Sequence, residues 1–442
     1  MKSVVIIALL FMQCYKCFAV SVCDICTCGY ENDNEDYLGE NIDCSFKTQD
    51  ILESNYTLPN TVRSLDLSSS NLVTILDSRL LRSETLLELY LNRNSITDIV
   101  GTPFDLPELK ILDLSFNNLT YIDADVFKNI KKLEYLNVAN NKLATVSSLA
   151  FHQLNNLKEV ILDFNILGPS IMDLKGSFGL LNKIQKLSIR GIGLRNIPDK
   201  FFADLYDIRQ LVVSDNHLEE IFEFPTTLEY LDLSNNPIRA IAEEDFVNVP
   251  GLRELKLNNL QIMEVPDYVF APLRSLRSLE LERNRNLTYF SRLAFGREVL
   301  EDADDFNLEK LSVRASRLSK LDRDLSKPFG RLFHLDLQGN PWICDCDILW
   351  LKQFQMEPKD YDHIRCAYPR SLYNSRIFEL RDKYFRCPNA QRLIGVAISV
   401  TTLAIAMSAI TVWILKCIPR KNSENYNMFG PYVTYTTIGN TT

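Results

Sequence analysis

A repeat of about 24 residues most constrains how this 442-residue chain can fold. Its pattern is L-x-x-L-x-L-x-x-N-x-L, and residues Leu109 to Leu119 form one good copy. One copy cannot bury its apolar side alone, so copies of this length stack into a solenoid. Copies begin at Val62, Leu86, Leu109, Leu133, Leu157, Ile184, Ile208, Leu228, Leu252, Leu276, Leu308 and Leu332.

The spacing of leucines inside each copy predicts the secondary structure. Leu112 and Leu114 lie two residues apart, so a strand points both side chains to the same side. Stacked copies then place their strands in one parallel sheet. We therefore predict an α/β fold, a solenoid of horseshoe shape with a parallel concave sheet.

Two further columns of the repeat predict how the interior is filled. The ninth position is Asn in eight copies, and a buried amide can bond the turns of its own and the neighbouring coil. Ser70, Ile192, Leu260 and Ser316 occupy this position elsewhere, where we expect the ladder to be broken. The nineteenth position carries an aromatic column, expected to pack the convex side. Its members are Phe104, Phe127, Phe151, Phe202, Phe246 and Phe270.

The two ends of the sequence predict where the chain resides. Residues 1–20 combine a basic Lys2, a short apolar stretch and a small residue at the expected cleavage point, as secretory signal peptides do. Residues 393–415 are 23 residues without charge (415 − 393 + 1), enough to cross a bilayer. Lys416 follows directly and suits a cytoplasmic flank. We expect a single-pass type I protein of the plasma membrane, with an extracellular N-terminus and a cytoplasmic tail at 416–442.

Cysteines cluster on both sides of the repeats. Of the 11 cysteines, two lie in the predicted signal peptide and Cys417 follows the predicted span, which leaves eight, four on each side. The C-x-x-C spacing of Cys23 and Cys26 also fits zinc, but in a secreted chain disulfides are favoured. Spacing alone permits three pairings in each group of four.

With the repeats, these cysteines resemble the caps of the typical extracellular leucine-rich repeat family. Cys23-x-x-Cys26-x-Cys28 followed by Cys44 is similar to the N-terminal cap. The segment similar to the family's C-terminal cap is Asn340-Pro-Trp-Ile-Cys-Asp-Cys346, with Trp350, Cys366 and Cys387 after it. The resemblance implies four disulfides, Cys23–Cys28, Cys26–Cys44, Cys344–Cys366 and Cys346–Cys387.

These features predict six segments and a function without chemistry. The segments are a signal peptide at 1–20, an N-terminal cap at 21–61, twelve repeats at 62–341, a C-terminal cap at 342–390, a transmembrane helix at 393–415 and a tail at 416–442. The chain has four histidines and lacks the G-x-S-x-G, H-E-x-x-H and P-loop motifs, so we expect no enzyme, no cofactor and no metal site. A formal net charge of −9 argues against a nucleic-acid partner.

The expected function is therefore binding by a surface. Tyr90, Phe116, Tyr135 and Phe164 lie at variable positions of repeats two to five and form the predicted ligand patch, since aromatics are enriched at binding hot spots. Scattered apolar surface residues are the alternative. A second, charged set is expected to form mutual salt bridges. It comprises Arg253, Glu254, Lys256, Arg277, Glu280, Glu282 and Arg283.

The expected partner is an extracellular or cell-surface protein, bound by a receptor, co-receptor or adhesion molecule. The alternative is a membrane-tethered modulator that captures a soluble ligand or inhibits a signalling receptor, and this alternative includes an immune role. Either kind of protein could form a homodimer. Asn55, Asn118 and Asn286 fit the N-glycosylation pattern. Tyr426 and Tyr435 lie in motifs similar to sorting signals. Tyr435 also lies in a motif that an adaptor or a phosphotyrosine reader would recognise. Cys417 is a palmitoylation candidate.

Overall fold

The computed structural model describes residues 20–30, 40–54, 56–75, 79–145, 151–170, 183–198, 201–202, 205–354, 361–387 and 390–417. Residues 1–19 of the predicted signal peptide, Asn55, Tyr426 and Tyr435 lie outside these residues. The chain divides into two compact units, Met1–Phe385 and Arg386–Thr442.

A sheet of 14 strands organises the first unit. Its order is β2-β3-β5-β7-β9-β10-β11-β12-β13-β14-β15-β17-β19-β20. Only the pair β2 and β3 is antiparallel. The strands are β1 (Val20–Ser21), β2 (Thr27–Tyr30), β3 (Glu40–Asp43), β4 (Tyr56–Thr57), β5 (Val62–Asp66), β6 (Thr74–Ile75), β7 (Glu88–Tyr90), β8 (Asp98–Ile99), β9 (Ile111–Asp113), β10 (Tyr135–Asn137), β11 (Glu159–Ile161), β12 (Lys186–Ser188), β13 (Gln210–Val212), β14 (Tyr230–Asp232), β15 (Glu254–Lys256), β16 (Glu264–Val265), β17 (Ser278–Glu280), β18 (Tyr289–Phe290), β19 (Lys310–Ser312), β20 (His334–Asp336), β21 (Trp342–Ile343) and β22 (Cys366–Tyr368).

The sheet keeps one register from coil to coil. Leu89 pairs with Leu112, and Leu112 pairs with Leu136. All three side chains are fully buried, while the residues on either side of each are partly exposed. Each of the twelve repeats contributes one strand in this way, so the predicted solenoid with its long parallel sheet is confirmed.

Short helices lie between the strands. The α-helices are α1 (Asp50–Glu53), α2 (Glu298–Glu301), α3 (Ser326–Phe329) and α4 (Ala390–Cys417). The 3₁₀ helices are Val22–Asp24, Arg79–Leu81, Ala124–Phe127, Gly168–Ser170, Glu243–Asp245, Ala303–Asp305, Arg323–Leu325, Cys346–Gln353, Arg370–Leu372, Ile377–Glu379 and Asp382–Tyr384. Repeat ten is the longest copy, and α2 lies in its additional residues, with Val299 and Leu300 packed against the core.

The predicted phenylalanine column is buried, with no member more than 4% exposed. Phe246 and Phe270 place their ring centroids 6.1 Å apart. Repeat seven is the shortest copy, and Phe222 and Phe224 join the column there. Phe222 contacts Phe202 at 5.7 Å between centroids, and Phe224 stacks on Phe246 at 6.0 Å. These rings therefore fill the side of the coils opposite the sheet.

The asparagine ladder is present and longer than predicted. Asn141 donates to the carbonyls of Leu114 and Val138, both at 3.0 Å, and accepts from the Leu119 amide at 3.0 Å. The prediction that serine breaks the ladder is wrong. The Ser70 hydroxyl donates to the Cys44 carbonyl, and the Ser316 hydroxyl donates to the Leu281 carbonyl. A hydroxyl is shorter than an amide but still satisfies a buried carbonyl.

Disulfides are present in both caps. Cys23 bonds Cys28, Cys26 bonds Cys44 and Cys344 bonds Cys366. Cys346 and Cys387 are disulfide-bonded as well. Each cap therefore carries the covalent links expected of a solenoid end, where apolar core would otherwise meet water.

The second unit contains α4, a helix of 28 residues. Its large apolar side chains from Val400 to Ile414 are 48% to 70% exposed. Among the residues that the structure describes, no helix meets the combined length and hydropathy requirement for a membrane span.

Candidate binding surface on the sheet

The sheet brings the four predicted patch residues onto neighbouring strands. Tyr90 ends β7 and Tyr135 begins β10, while Phe116 and Phe164 each lie three residues beyond β9 and β11. These four strands are adjacent in the order β7-β9-β10-β11. The aromatic side chains therefore belong to one region of the sheet face, which we call the aromatic patch.

Burial and nearby carboxylates keep both patch tyrosines neutral. Desolvation and the charges of Glu88, Asp113 and Asp66 raise the pKa of Tyr90 to about 12. Its hydroxyl donates to Glu88 Oε2 at 3.1 Å. Desolvation also raises the pKa of Tyr135 to about 12, with added repulsion from Asp113 and Glu159. Both phenols therefore stay uncharged to a higher pH than an ordinary tyrosine does.

Position eight of every repeat has a left-handed backbone conformation. The twelve residues are Ser69, Arg93, Phe116, Asn140, Phe164, Gly191, Asp215, Asn235, Asn259, Arg283, Ala315 and Gly339, with φ from 53° to 71°. The turn requires this conformation because the position-eight amide donates to the next coil, as Phe116 does to the Ala139 carbonyl at 2.9 Å. Asn, Asp and Gly suit it, and bulky side chains are strained there. Phe116 and Phe164 therefore occupy positions where folding alone does not favour an aromatic residue.

Arginines and a glycine hold these two rings on the surface. Phe116 is 50% exposed and Phe164 is 44% exposed. The Arg93 guanidinium carbon lies 5.7 Å from the Phe116 centroid, within cation–π range. Phe164 leans over Gly191, where an added Cβ would lie 2.5 Å from a carbon of the Phe164 ring.

Phe46 in the N-terminal cap is equivalent to position eight of the repeats, and the sequence analysis missed it. Its φ is 59° and its side chain is 80% exposed. Its amide donates to the Ser68 carbonyl at 3.1 Å, as the Ser69 amide does to Asn92. The alternation Ile42-x-Cys44-x-Phe46 was the signal, with cysteine in place of the second leucine.

A row of acidic residues beside the patch was also missed. Asp43 pairs in register with Asp66, Asp66 with Tyr90, and Tyr90 with Asp113. Glu88 projects from the same strand as Tyr90. We call Asp43, Asp66, Glu88 and Asp113 the acidic row. The structure gives these four described carboxylates no ion pair with any described Lys or Arg within 4.0 Å.

Ion pairs neutralise part of the second predicted set, on repeats nine and ten. Lys256 lies 3.1 Å from Glu280, which is the one ion pair within the set among the described residues. Arg253 pairs with Glu229 at 3.2 Å, and Arg277 pairs with Glu309 at 3.3 Å, both outside the set. The expected mutual salt bridging is therefore present only in part.

Cys23, Cys28 and Glu40 form the one cluster with metal-ligand spacing in the described part of the chain. The two cysteines are bonded to each other, so they offer no thiolate. Of the glycosylation candidates, Asn118 is partly exposed and Asn286 is exposed. Asn118 lies two residues from Phe116, at the edge of the aromatic patch.

Comparison with known proteins identifies the repeats. The model described as "Leucine rich repeat" matches residues 107–167 and 226–287. Tsukushi of Gallus gallus is 29% identical over 67% of this chain and 80% of its own length. Chaoptin of Tribolium castaneum is 27% identical over 63% of this chain, and lumican of Mus musculus is 28% identical over 60%.

The matched region spans 36% of chaoptin and 49% of podocan-like protein 1 of Homo sapiens, so it is a minor part of both relatives. Among solved structures, a TLR13–ssRNA13 complex matches 77% of this chain and 60% of that one, with a TM-score of 0.48 and 20% identity. With its parallel sheet, its asparagine ladder and its cap disulfides, the chain has the fold of a leucine-rich repeat solenoid, and it is similar to extracellular leucine-rich repeat proteins.

Proposed function

We propose that this chain is a cell-surface recognition protein that binds an extracellular protein ligand through the aromatic patch. The observation that carries the proposal is the presence of Phe116 and Phe164 at left-handed, half-exposed positions. A bulky residue in a strained conformation is retained where it serves something other than the fold. With Tyr90 and Tyr135 on the strands beside them, the rings provide rigid contact area of the kind that dominates interface energetics.

A screen followed by matched variants tests this function. The full-length chain is displayed on cells and screened against secreted and cell-surface ectodomains. The affinity of each ligand found is then measured for a variant in which Ser replaces Tyr90, Phe116, Tyr135 and Phe164. The control variant carries Ser at exposed aromatics elsewhere, Tyr121, Tyr206, Tyr289 and Phe333.

We expect the patch variant to lose at least about tenfold in affinity and the control variant to retain binding, because interface aromatics each cost about 1 kcal/mol or more on truncation. Equal binding by both variants, with equal surface display, would show that the ligand binds elsewhere.

The proposal includes a single-pass type I topology at the plasma membrane. It is supported by the uncharged run at 393–415, by its position inside α4 and by the exposed apolar side chains from Val400 to Ile414. Alkaline extraction of membranes expressing the full chain tests it, with the chain expected in the pellet. Release of the chain into the supernatant would contradict the topology.

The tail and the glycans complete the proposed cell-surface role. Tyr426 and Tyr435 act as sorting signals, Cys417 is palmitoylated, and Asn55, Asn118 and Asn286 carry glycans. Substitution of both tyrosines by Ala is expected to slow internalisation of the displayed chain, and Cys417→Ser to abolish palmitate labelling. Asn→Gln at each glycosylation position is expected to lower the apparent mass, which gel electrophoresis measures.

A further inference from the structure

The charge distribution on the sheet face is asymmetric between its two halves. Positions three, five and seven point outward from each coil. From the N-terminal cap through repeat five, these positions hold six carboxylates and no Lys or Arg. The carboxylates are Asp43, Asp66, Glu88, Asp113, Glu159 and Asp163. From repeat six onward, the same positions hold five of each sign, so the acidity is confined to one half.

Two of the six carboxylates are compensated by the protein itself. Glu159 forms an ion pair with Lys186. Asp163 accepts hydrogen bonds from the Ser188 hydroxyl at 2.6 Å and the Arg190 amide at 2.9 Å, and the positive charges of the Arg190 and Lys186 side chains lie close to it. The acidic row remains: Asp66 and Asp113 accept bonds from the amides of Ser68 and Ser115, which carry no charge.

The geometry of the acidic row indicates the kind of cation that would complement it. Neighbouring strands lie about 4.8 Å apart, so Asp66 and Asp113, two strands apart, are separated by roughly 10 Å. One metal ion binds oxygens at about 2.3 to 2.6 Å and does not bridge that distance, and the described carboxylates of the row form no group of three with metal-ligand spacing. A row of separate cationic side chains on one peptide does. Tyr90, between the two aspartates, adds a ring over which such a cation packs.

We infer that the ligand presents a basic segment, with Lys or Arg side chains pairing with the acidic row while its apolar residues contact the aromatic patch. The inference rests on the proposed function and adds the chemistry of the partner. It follows from charge complementarity. Asp66, Glu88 and Asp113 are partly buried and form no ion pair with a described Lys or Arg, so they gain most from cations that a partner supplies.

Peptide binding to the full-length chain in neutral detergent micelles tests the inference. The probes are labelled hexa-arginine and hexa-glutamate peptides, followed by fluorescence anisotropy at two salt concentrations. The site variant is Asp66→Asn with Asp113→Asn. The matched control is Asp232→Asn with Glu254→Gln, which removes the same net charge from repeats eight and nine. Asp232 accepts from the Ser234 amide at 2.9 Å, as Asp66 does from Ser68, but pairs in register with Lys256.

We expect hexa-arginine to bind the wild type, with an affinity about tenfold lower in the site variant and changed less than about twofold in the control. Added salt should weaken binding to the wild type more than to the site variant. Equal losses in the two variants, or equal binding of both peptides, would overturn the inference.

The outcomes also separate this inference from the function it rests on. If the site variant binds hexa-arginine like the control while the aromatic variant still loses its protein ligand, the patch stands and the basic partner is wrong. If the site variant loses hexa-arginine while the aromatic variant keeps its ligand, the acidic row binds cations but the proposed ligand surface is wrong.

Discussion

The guanidinium carbon of Arg190 lies 5.2 Å from the ring centroid of Phe164. The same arginine donates to Asp215 at 2.6 Å, which holds it across the sheet. Gly191 leaves room beneath the ring. The ring is therefore oriented by its own fold before a ligand arrives, and pre-ordered side chains lower the entropic cost of binding.

Gly191→Ala should displace the Phe164 ring and weaken ligand binding. The added Cβ would lie 2.5 Å from the ring, and φ at Gly191 is 62°. Gly193→Ala is the matched control, because φ there is 84° and nothing lies within 4 Å. Each variant should lose about 1 kcal/mol of unfolding free energy from backbone strain. Only Gly191→Ala should also lose affinity for the screened ligand, measured on displayed chain; equal affinity in the two variants would mean that the ring does not contact it.

Phe116→Asn should separate folding from binding. Asparagine tolerates the left-handed conformation, so relief of strain offsets the loss of a half-exposed ring, and the unfolding free energy should stay within about 1 kcal/mol of wild type. Ligand affinity should fall. Thermal unfolding and ligand titration of the same preparation check both parts. A loss of stability above about 2 kcal/mol would assign Phe116 a packing role instead.

Asn141→Ala should destabilise the solenoid by about 2 kcal/mol, because it leaves the buried Leu119 amide without a partner. It also removes one of the two side-chain amide donors from the Leu114 carbonyl and from the Val138 carbonyl. Asn156→Ala is the control: its side chain is exposed and donates one bond of 3.3 Å to the Lys131 carbonyl, so its cost should stay below about 0.5 kcal/mol. Denaturant unfolding measures the difference. Similar losses for both would contradict a structural role of the ladder.

The sheet and its core were predictable because their cause is periodic in the sequence. Leu112 and Leu114 have equivalents in every coil, and side chains two residues apart in a strand point to the same face. The conformation of Phe116 was not predictable, since it depends on a hydrogen bond to the next coil. The position of Phe46 was not predicted because the N-terminal cap follows the repeat pattern only in part. The acidic row could not be predicted without the register between strands, which pairs Tyr90 with both Asp66 and Asp113.

The patch tyrosines should make the stability of the fold depend on alkaline pH. The pKa of Tyr90 and Tyr135 is raised from 10 in the unfolded chain to about 12 in the fold, first by desolvation. A raised folded-state pKa means that the neutral phenol contributes stability below pH 10, which is lost as the pH rises through about 12. Tyr90→Phe with Tyr135→Phe should reduce this loss, measured by unfolding between pH 9 and pH 12.

Asp113 links the two tyrosines, because its charge raises the pKa of both. Asp113→Asn should therefore lower both pKa values, which absorbance titration detects as earlier ionisation of two phenols. Asp207→Asn, at an exposed carboxylate, is the control and should leave the titration unchanged. Earlier ionisation in the control alone, or in neither variant, would show that Asp113 does not set the electrostatic environment of the aromatic patch. Earlier ionisation in the Asp113 variant alone would show that the charge of this carboxylate acts on both phenols.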